Sequence, residues 1–155
     1  YGDAFEEVAL TFPKCWDKKK HIIKRDVLAE IIFNDAGKKQ ILENILHPLT
    51  VASQYKFIRT QQRLGIKIVV LDIPLLFETG ADKRVDYTIC VDAPYETQKR
   101  RVLARPNMTE IKFKAILDAQ MPNAQKCALA DFIVPTGMGM AYSYAILKKI
   151  LASIK

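Results

Sequence analysis

At 155 residues, half of them hydrophobic, the chain has room for one ordinary core and too little for two, so a single domain over 1–155 is expected. Its 24 Lys and Arg against 17 Asp and Glu leave a formal charge of +7, which favours polyanionic partners such as nucleic acid, nucleotides, phosphorylated metabolites or an acidic membrane surface. Cys15, Cys90 and Cys127 are too scattered for a disulfide framework, and His21 and His47 lack ligand partners at metal spacing, so no metal site and a reducing, cytoplasmic setting are expected. No apolar run approaches the roughly 20 residues that span a bilayer. No signal peptide is evident, and the opening residue is Tyr1 rather than Met, which raises the expectation of a segment upstream.

In chain order, Asn34-Asp35 is a plausible cap for a helix over 37–46, and a second helix is expected over 48–64 with Pro48 in its first turn. Residues 67–72 (KIVVLD) read as the first strand. Residues 87–92 (YTICVD) and 131–135 (DFIVP) read as two more. All three are β-branched and nearly continuous in apolar character, so each is expected to be buried on both sides. Between the last two, a helix opens at Pro94 and is stopped by Pro106. Thr109 caps another over 110–121, and Pro122 opens a shorter one ending near Ala130. A final helix is expected over 139–154, with Tyr144, Leu147, Ile150 and Leu151 at helical spacing. Strands alternating with helices predict an α/β class, a parallel sheet flanked by helices. Three strands are few for such a sheet, so a further, central strand is expected.

Ligands of an open α/β sheet sit outside the carboxyl ends of its strands. Asp72 ends the first strand, where its carboxylate either serves chemistry or bonds the amides of the following turn. Pro74 keeps Ile73 extended and carries Leu75 and Leu76 off the sheet, as an apolar wall or as a plug beneath a helix. Gln98, Arg101 and Arg105 fall on one helical face beside Arg100, suited to phosphoryl oxygens but equally a solvated charged face. The 155 residues contain no G-x-x-x-x-G-K-[ST] and no G-x-G-x-x-G, hence no evident cradle for a triphosphate. G-x-S-x-G and a Cys-His nucleophile pair are absent too.

Taken together, several stretches resemble the dephospho-CoA kinase family: Arg25-Asp-Val-Leu with Ile32-Phe33, Leu42-Glu43, His47-Pro48-Leu49, and Val70-Leu-Asp-Ile-Pro-Leu-Leu-Phe-Glu78. Val91-Asp-Ala-Pro94, Gln98-Lys-Arg-Arg101 with Arg105, Ala119-Gln-Met-Pro122, Lys126 and Ala130-Asp131 follow in the same order. The resemblance implies a three-layer P-loop kinase fold that transfers the γ-phosphoryl of ATP, with Mg2+, to the ribose 3′-hydroxyl of dephospho-CoA. It implies that the first strand, the P-loop and an acidic base lie in an N-terminal segment outside these residues, so this polypeptide alone is expected not to turn over ATP.

Carried over by position, Gln98, Arg101 and Arg105 resemble the lid over the ATP phosphates, within a lid region at 98–122. Thr136 and Gly137 fall where the family contacts adenine, although Pro135 and Thr136 stand where an Asn-type residue is more usual. Residues 24–64 match the helical acceptor-binding region. Arg25, His47, Pro48, Asp72, Pro74, Leu75, Leu76 and Glu78 are the expected dephospho-CoA residues. For His47 the plainer reading, a helix-junction histidine satisfied by backbone, takes precedence. The alternative to the kinase is a non-catalytic binding module, either a degenerate kinase or a basic nucleic-acid-binding protein, for which Tyr55-Lys-Phe57 with Arg59 is a small cluster without a recognisable motif. Neither nucleic acid nor membrane is the expected partner.

Overall fold

In the computed structural model, which describes residues 2–154, the chain divides into two units, one ending at Asp72 and the other beginning at Ile73. The first is built from α1 (Phe5–Thr11), a 3-10 turn at Pro13–Cys15, a two-residue antiparallel hairpin of β1 (Trp16–Asp17) and β2 (Ile22–Ile23), α2 (Arg25–Phe33) and α3 (Ala36–Arg63). Val8, Phe12 and Cys15 form its core with Leu42 and Ile45 of α3. Val27, Leu28, Ile31 and Ile32, one stripe of α2, pack against that cluster because their spacing puts them on one helical face. The hairpin turn is held by Asp17, whose Oδ1 accepts from the amides of Lys19 and Lys20 at 3.2 and 3.1 Å.

Two expectations change in this unit. Asp35 does cap a helix, its Oδ1 accepting from the Lys38 amide at 3.0 Å. That helix, however, runs unbroken to Arg63 with Pro48 inside it rather than restarting at Pro48. Proline removes one amide donor, and the carbonyl it orphans belongs to an exposed turn, where a missing bond costs least. His47 is consequently an exposed mid-helix residue and not a junction histidine. The second correction concerns residues 67–72, which form no strand. A strand needs a ladder partner, and none pairs with this segment among the described residues. Its apolar side chains are accordingly not buried on both sides, Val70 being 75% exposed.

The second unit holds a parallel pair, β3 (Ile89–Asp92) and β4 (Phe132–Pro135), in the register Ile89↔Phe132 through Asp92↔Pro135. α4 (Tyr95–Leu103), α5 (Glu110–Ala119) and α6 (Asn123–Leu129) make the crossover between them, and α7 (Met140–Ser153) follows. α6 packs on β3 and α7 on β4, giving an α/β arrangement of a parallel sheet flanked by helices. Thr109 caps α5 as expected, its Oγ1 accepting from the Lys112 amide. The sheet has two strands among the described residues, not three or more, and its strands are buried only in part. Cys90 and Val134 are covered, whereas Val91 is 64% exposed.

Side chains pin the register at both ends. At the amino end Asp131 Oδ2 accepts from both the amide and the hydroxyl of Thr88 at 2.7 Å, and the Asp131 amide donates back to Thr88 Oγ1 at 3.0 Å. These bonds hold the Asp131 carboxyl below its ordinary range, the Thr88 hydroxyl contributing most. At the carboxyl end the amide and hydroxyl of Thr136 both donate to the Asp92 carbonyl, at 2.7 and 2.9 Å.

Candidate functional site

The carboxyl ends of β3 and β4 carry two short loops, Asp92-Ala-Pro94 before α4 and Thr136-Gly137 after β4. Their backbones are tied by the Thr136 bonds, and Gly137 lies so close to Pro94 that a Cβ on it would stand 2.7 Å from Pro94 Cδ. Only a residue without a side chain fits there unshifted. Gln98, in the first turns of α4, donates from Nε2 to the Ala93 carbonyl at 2.7 Å, which fixes the loop that launches its own helix.

Arg101 reaches back to the second loop. Its Nη2 donates to the Thr136 carbonyl at 2.9 Å and its Nη1 to Thr136 Oγ1 at 3.2 Å. The Thr136 hydroxyl spends its proton on Asp92, so its lone pairs are the part offered to the guanidinium. An exposed, permanently charged fork is thereby held at the carboxyl edge of the parallel pair. On the other flank, Asn123 Nδ2 at the start of α6 donates to Asp92 Oδ1 at 2.6 Å.

A second polar centre joins the turn segment 74–80 to α6. Glu78 Oε1 accepts from Lys126 Nζ at 2.7 Å and from the Met121 amide at 3.1 Å. The two side chains are only 19% and 15% exposed, although the Glu78 backbone faces solvent. Burial alone would raise the Glu78 carboxyl. The bonds from Lys126, from its own amide and from Met121 outweigh it and leave the carboxyl below its ordinary range.

The residues expected from the sequence are thus distributed unequally. Gln98, Arg101, Thr136 and Gly137 come together at one edge. Arg105 does not share the helical face of Gln98 and Arg101, because α4 ends at Leu103 and Arg105 lies in the turn leading to Asn107, a residue at φ 61°. Leu75 is 38% exposed and Leu76 half-buried within the turns of 74–80, and Pro74 opens them. Arg25 begins α2, His47 and Pro48 lie mid-way along α3, and Asp72 closes the stretch at 67–72, all exposed and all in the first unit. Asn123 and Lys126 hold Asp92 and Glu78, and sequence reasoning assigned neither a site role. A polar residue just after Pro122 and a lysine three positions on were the available signals, but their partners lie 31 and 48 residues away.

Among the described residues no group of three or more His, Cys, Asp or Glu is placed to hold a metal ion, and no helix is long and apolar enough to cross a membrane.

The family model for dephospho-CoA kinase matches residues 2–140. The dephospho-CoA kinase of Bartonella quintana is 43% identical over 144 residues, covering 93% of this chain and 73% of its own length. That of Bartonella henselae is 48% identical over 126 residues, covering 81% and 64%. Among solved structures, TT1252 from Thermus thermophilus superposes with a TM-score of 0.77 at 31% identity, covering 97% of this chain and 76% of that one. Dephospho-CoA kinase from Campylobacter jejuni gives 0.65 at 30% identity, covering 96% and 74%. The chain therefore spans between about two thirds and three quarters of the length of these relatives. With α/β architecture, a guanidinium held at the carboxyl edge of a parallel pair and a family match across most of its residues, the chain belongs to the dephospho-CoA kinases, a family of ATP-dependent phosphotransferases.

Proposed function

We propose that the chain serves the transfer of the ATP γ-phosphoryl group to the 3′-hydroxyl of dephospho-CoA, the closing step of coenzyme A biosynthesis. The observation that carries this reading is Arg101, presented beside the Asp92-Ala-Pro94 and Thr136-Gly137 loops by two bonds to Thr136. Phosphoryl transfer is chiefly a matter of positioning and of neutralising charge on the transferred group, and a fixed guanidinium does both. Arg101 and Arg105 bind the phosphates in this reading, with Gln98 bracing the loop and Thr136 and Gly137 beside the adenine, in a lid region at 98–122. Magnesium enters as the ATP complex, which asks the protein for one or two carboxylates at most.

The acceptor falls to residues 24–64, through Arg25, His47 and Pro48, together with Asp72, Pro74, Leu75, Leu76 and Glu78. Three free thiols fit a reducing, cytoplasmic setting. Because these 155 residues contain no Gly-rich loop ending in Gly-Lys-Ser/Thr, they bind the acceptor without turning over ATP by themselves.

Coupled ADP release with dephospho-CoA tests the reading, on this polypeptide and on a fusion carrying a dephospho-CoA kinase P-loop segment ahead of residue 1. The fusion is expected to turn over, and Arg101→Ala to lower its kcat by about 100-fold. Robust turnover by the 155 residues alone would overturn their inactivity. An Arg101→Ala fusion as fast as its parent would overturn the role of Arg101.

A further inference from the structure

Cys90 and Cys127 stand 37 residues apart in sequence, yet their Sγ atoms lie 3.7 Å apart across the contact between β3 and α6. They belong to one polar chain: Asp92 Oδ1 accepts from Asn123 Nδ2, which also reaches Cys127 Sγ at 3.8 Å, and the Cys127 thiol donates to Cys90. Cys90 is buried at 7% exposure and Cys127 is half-buried, so Cys127 is the less enclosed residue of the pair. Closing the gap to the roughly 2.05 Å of a disulfide takes ~1.7 Å of movement, shared between two side chains, one of them on a helix of two turns.

We propose that Cys90 and Cys127 form an oxidisable dithiol that a peroxide closes to an intrachain disulfide, clamping α6 onto β3 directly beneath the Asp92 loop. Cys127 attacks first, because it belongs to the less enclosed of the two residues. Its thiolate takes one oxygen of hydrogen peroxide, releasing hydroxide and becoming a sulfenic acid. Cys90 Sγ then attacks that sulfur and surrenders its proton, and the sulfenic oxygen leaves as water. Overall two thiols and one peroxide yield one disulfide and two waters, the sulfurs oxidised and the peroxide reduced.

Burial, then the hydrogen bond and charge of Cys127, push the Cys90 thiol up to about 11, which suits it to resolve rather than to initiate. Cys15 takes no part. It is buried in the first unit, with its thiol donating to the Phe12 carbonyl at 2.9 Å.

The test is peroxide treatment of the folded chain, alkylation under denaturing, non-reducing conditions, and peptide mapping by mass spectrometry. The expected product is a monomer lighter by two hydrogens that takes one alkyl group, on Cys15, where the reduced chain takes three. A linked peptide pair containing Cys90 and Cys127 should appear and vanish with dithiothreitol. Cys127→Ser and Cys90→Ala should each abolish it, and mapping of the unsubstituted chain decides the matter if either variant fails to fold. Three alkylations persisting at peroxide levels that oxidise the methionines would overturn the proposal. So would sulfinic acid on Cys127 with Cys90 still alkylated, or links that run through Cys15 or between two chains.

Discussion

Replacing Glu78 by Ala removes the acceptor of two bonds at once and leaves Lys126, 15% exposed, as a sheltered cation with no partner at 2.7 Å. A hydrogen bond to a charged group contributes ~1.5–3 kcal/mol, and an orphaned amide such as that of Met121 adds ~1 kcal/mol. Part of this is recovered because both side chains retain some contact with water, so the net loss should be about 2–3 kcal/mol. The loss is local to the second unit, and is best read by hydrogen exchange on the whole chain, following peptides across 74–80 and 121–129. Protection there should fall by about 30- to 150-fold if opening of this region governs exchange.

The sign of the pH dependence is fixed by the depressed Glu78 carboxyl. Its contribution is fully present above the ordinary value of 4.5 and is lost as the pH falls through the lower folded value. Parent and variant should therefore converge in acid. In a double-mutant cycle with Lys126→Met, the second substitution should cost much less once Glu78 is gone. Equal protection in parent and Glu78→Ala, or a difference that persists unchanged in acid, would refute the reasoning.

Other substitutions probe the remaining supports. Gly137→Ala places a Cβ 2.7 Å from Pro94 Cδ, and the shift it forces on the paired loops should cost about 1–3 kcal/mol, visible in a thermal melt and in faster exchange at 92–94. Phe113, 4% exposed on α5 with its ring 5.9 Å from that of Tyr95, should lose about 3 kcal/mol on truncation to Ala, measured by urea denaturation. Thr88→Val deletes the hydroxyl that holds Asp131 and should raise the Asp131 pKa, followed by carboxyl NMR titration. The stability this pair adds is present above the ordinary 3.8 and is lost as pH falls through the depressed folded value, so the Thr88→Val difference should fade in acid.

What the sequence revealed tracks how local the signals are. Asp35 and Thr109 announce helix starts because a cap acts within three residues, and both caps form. The β-branched runs ending at Asp92 and Pro135 pair in parallel as their composition suggests. Residues 67–72 carry the same composition and form no strand, since strand formation depends on a neighbour and not on propensity alone. Pro48 misled because the penalty for an interior proline is smallest where the freed carbonyl faces solvent. At the site, Gln98, Arg101 and Thr136 were legible as residues at strand and helix ends. The Arg101–Thr136 bonds, the Asn123 and Lys126 supports and the approach of Cys127 to Cys90 join positions 31 to 48 residues apart and leave no periodic trace.

The central claim is that these residues hold the acceptor side of a dephospho-CoA kinase, and titration calorimetry with dephospho-CoA tests it most directly. Saturable binding of one dephospho-CoA per chain, weakened by Arg25→Ala and without ADP release when ATP is added, is the predicted result. No binding of dephospho-CoA, together with salt-sensitive binding of an oligonucleotide, would contradict it.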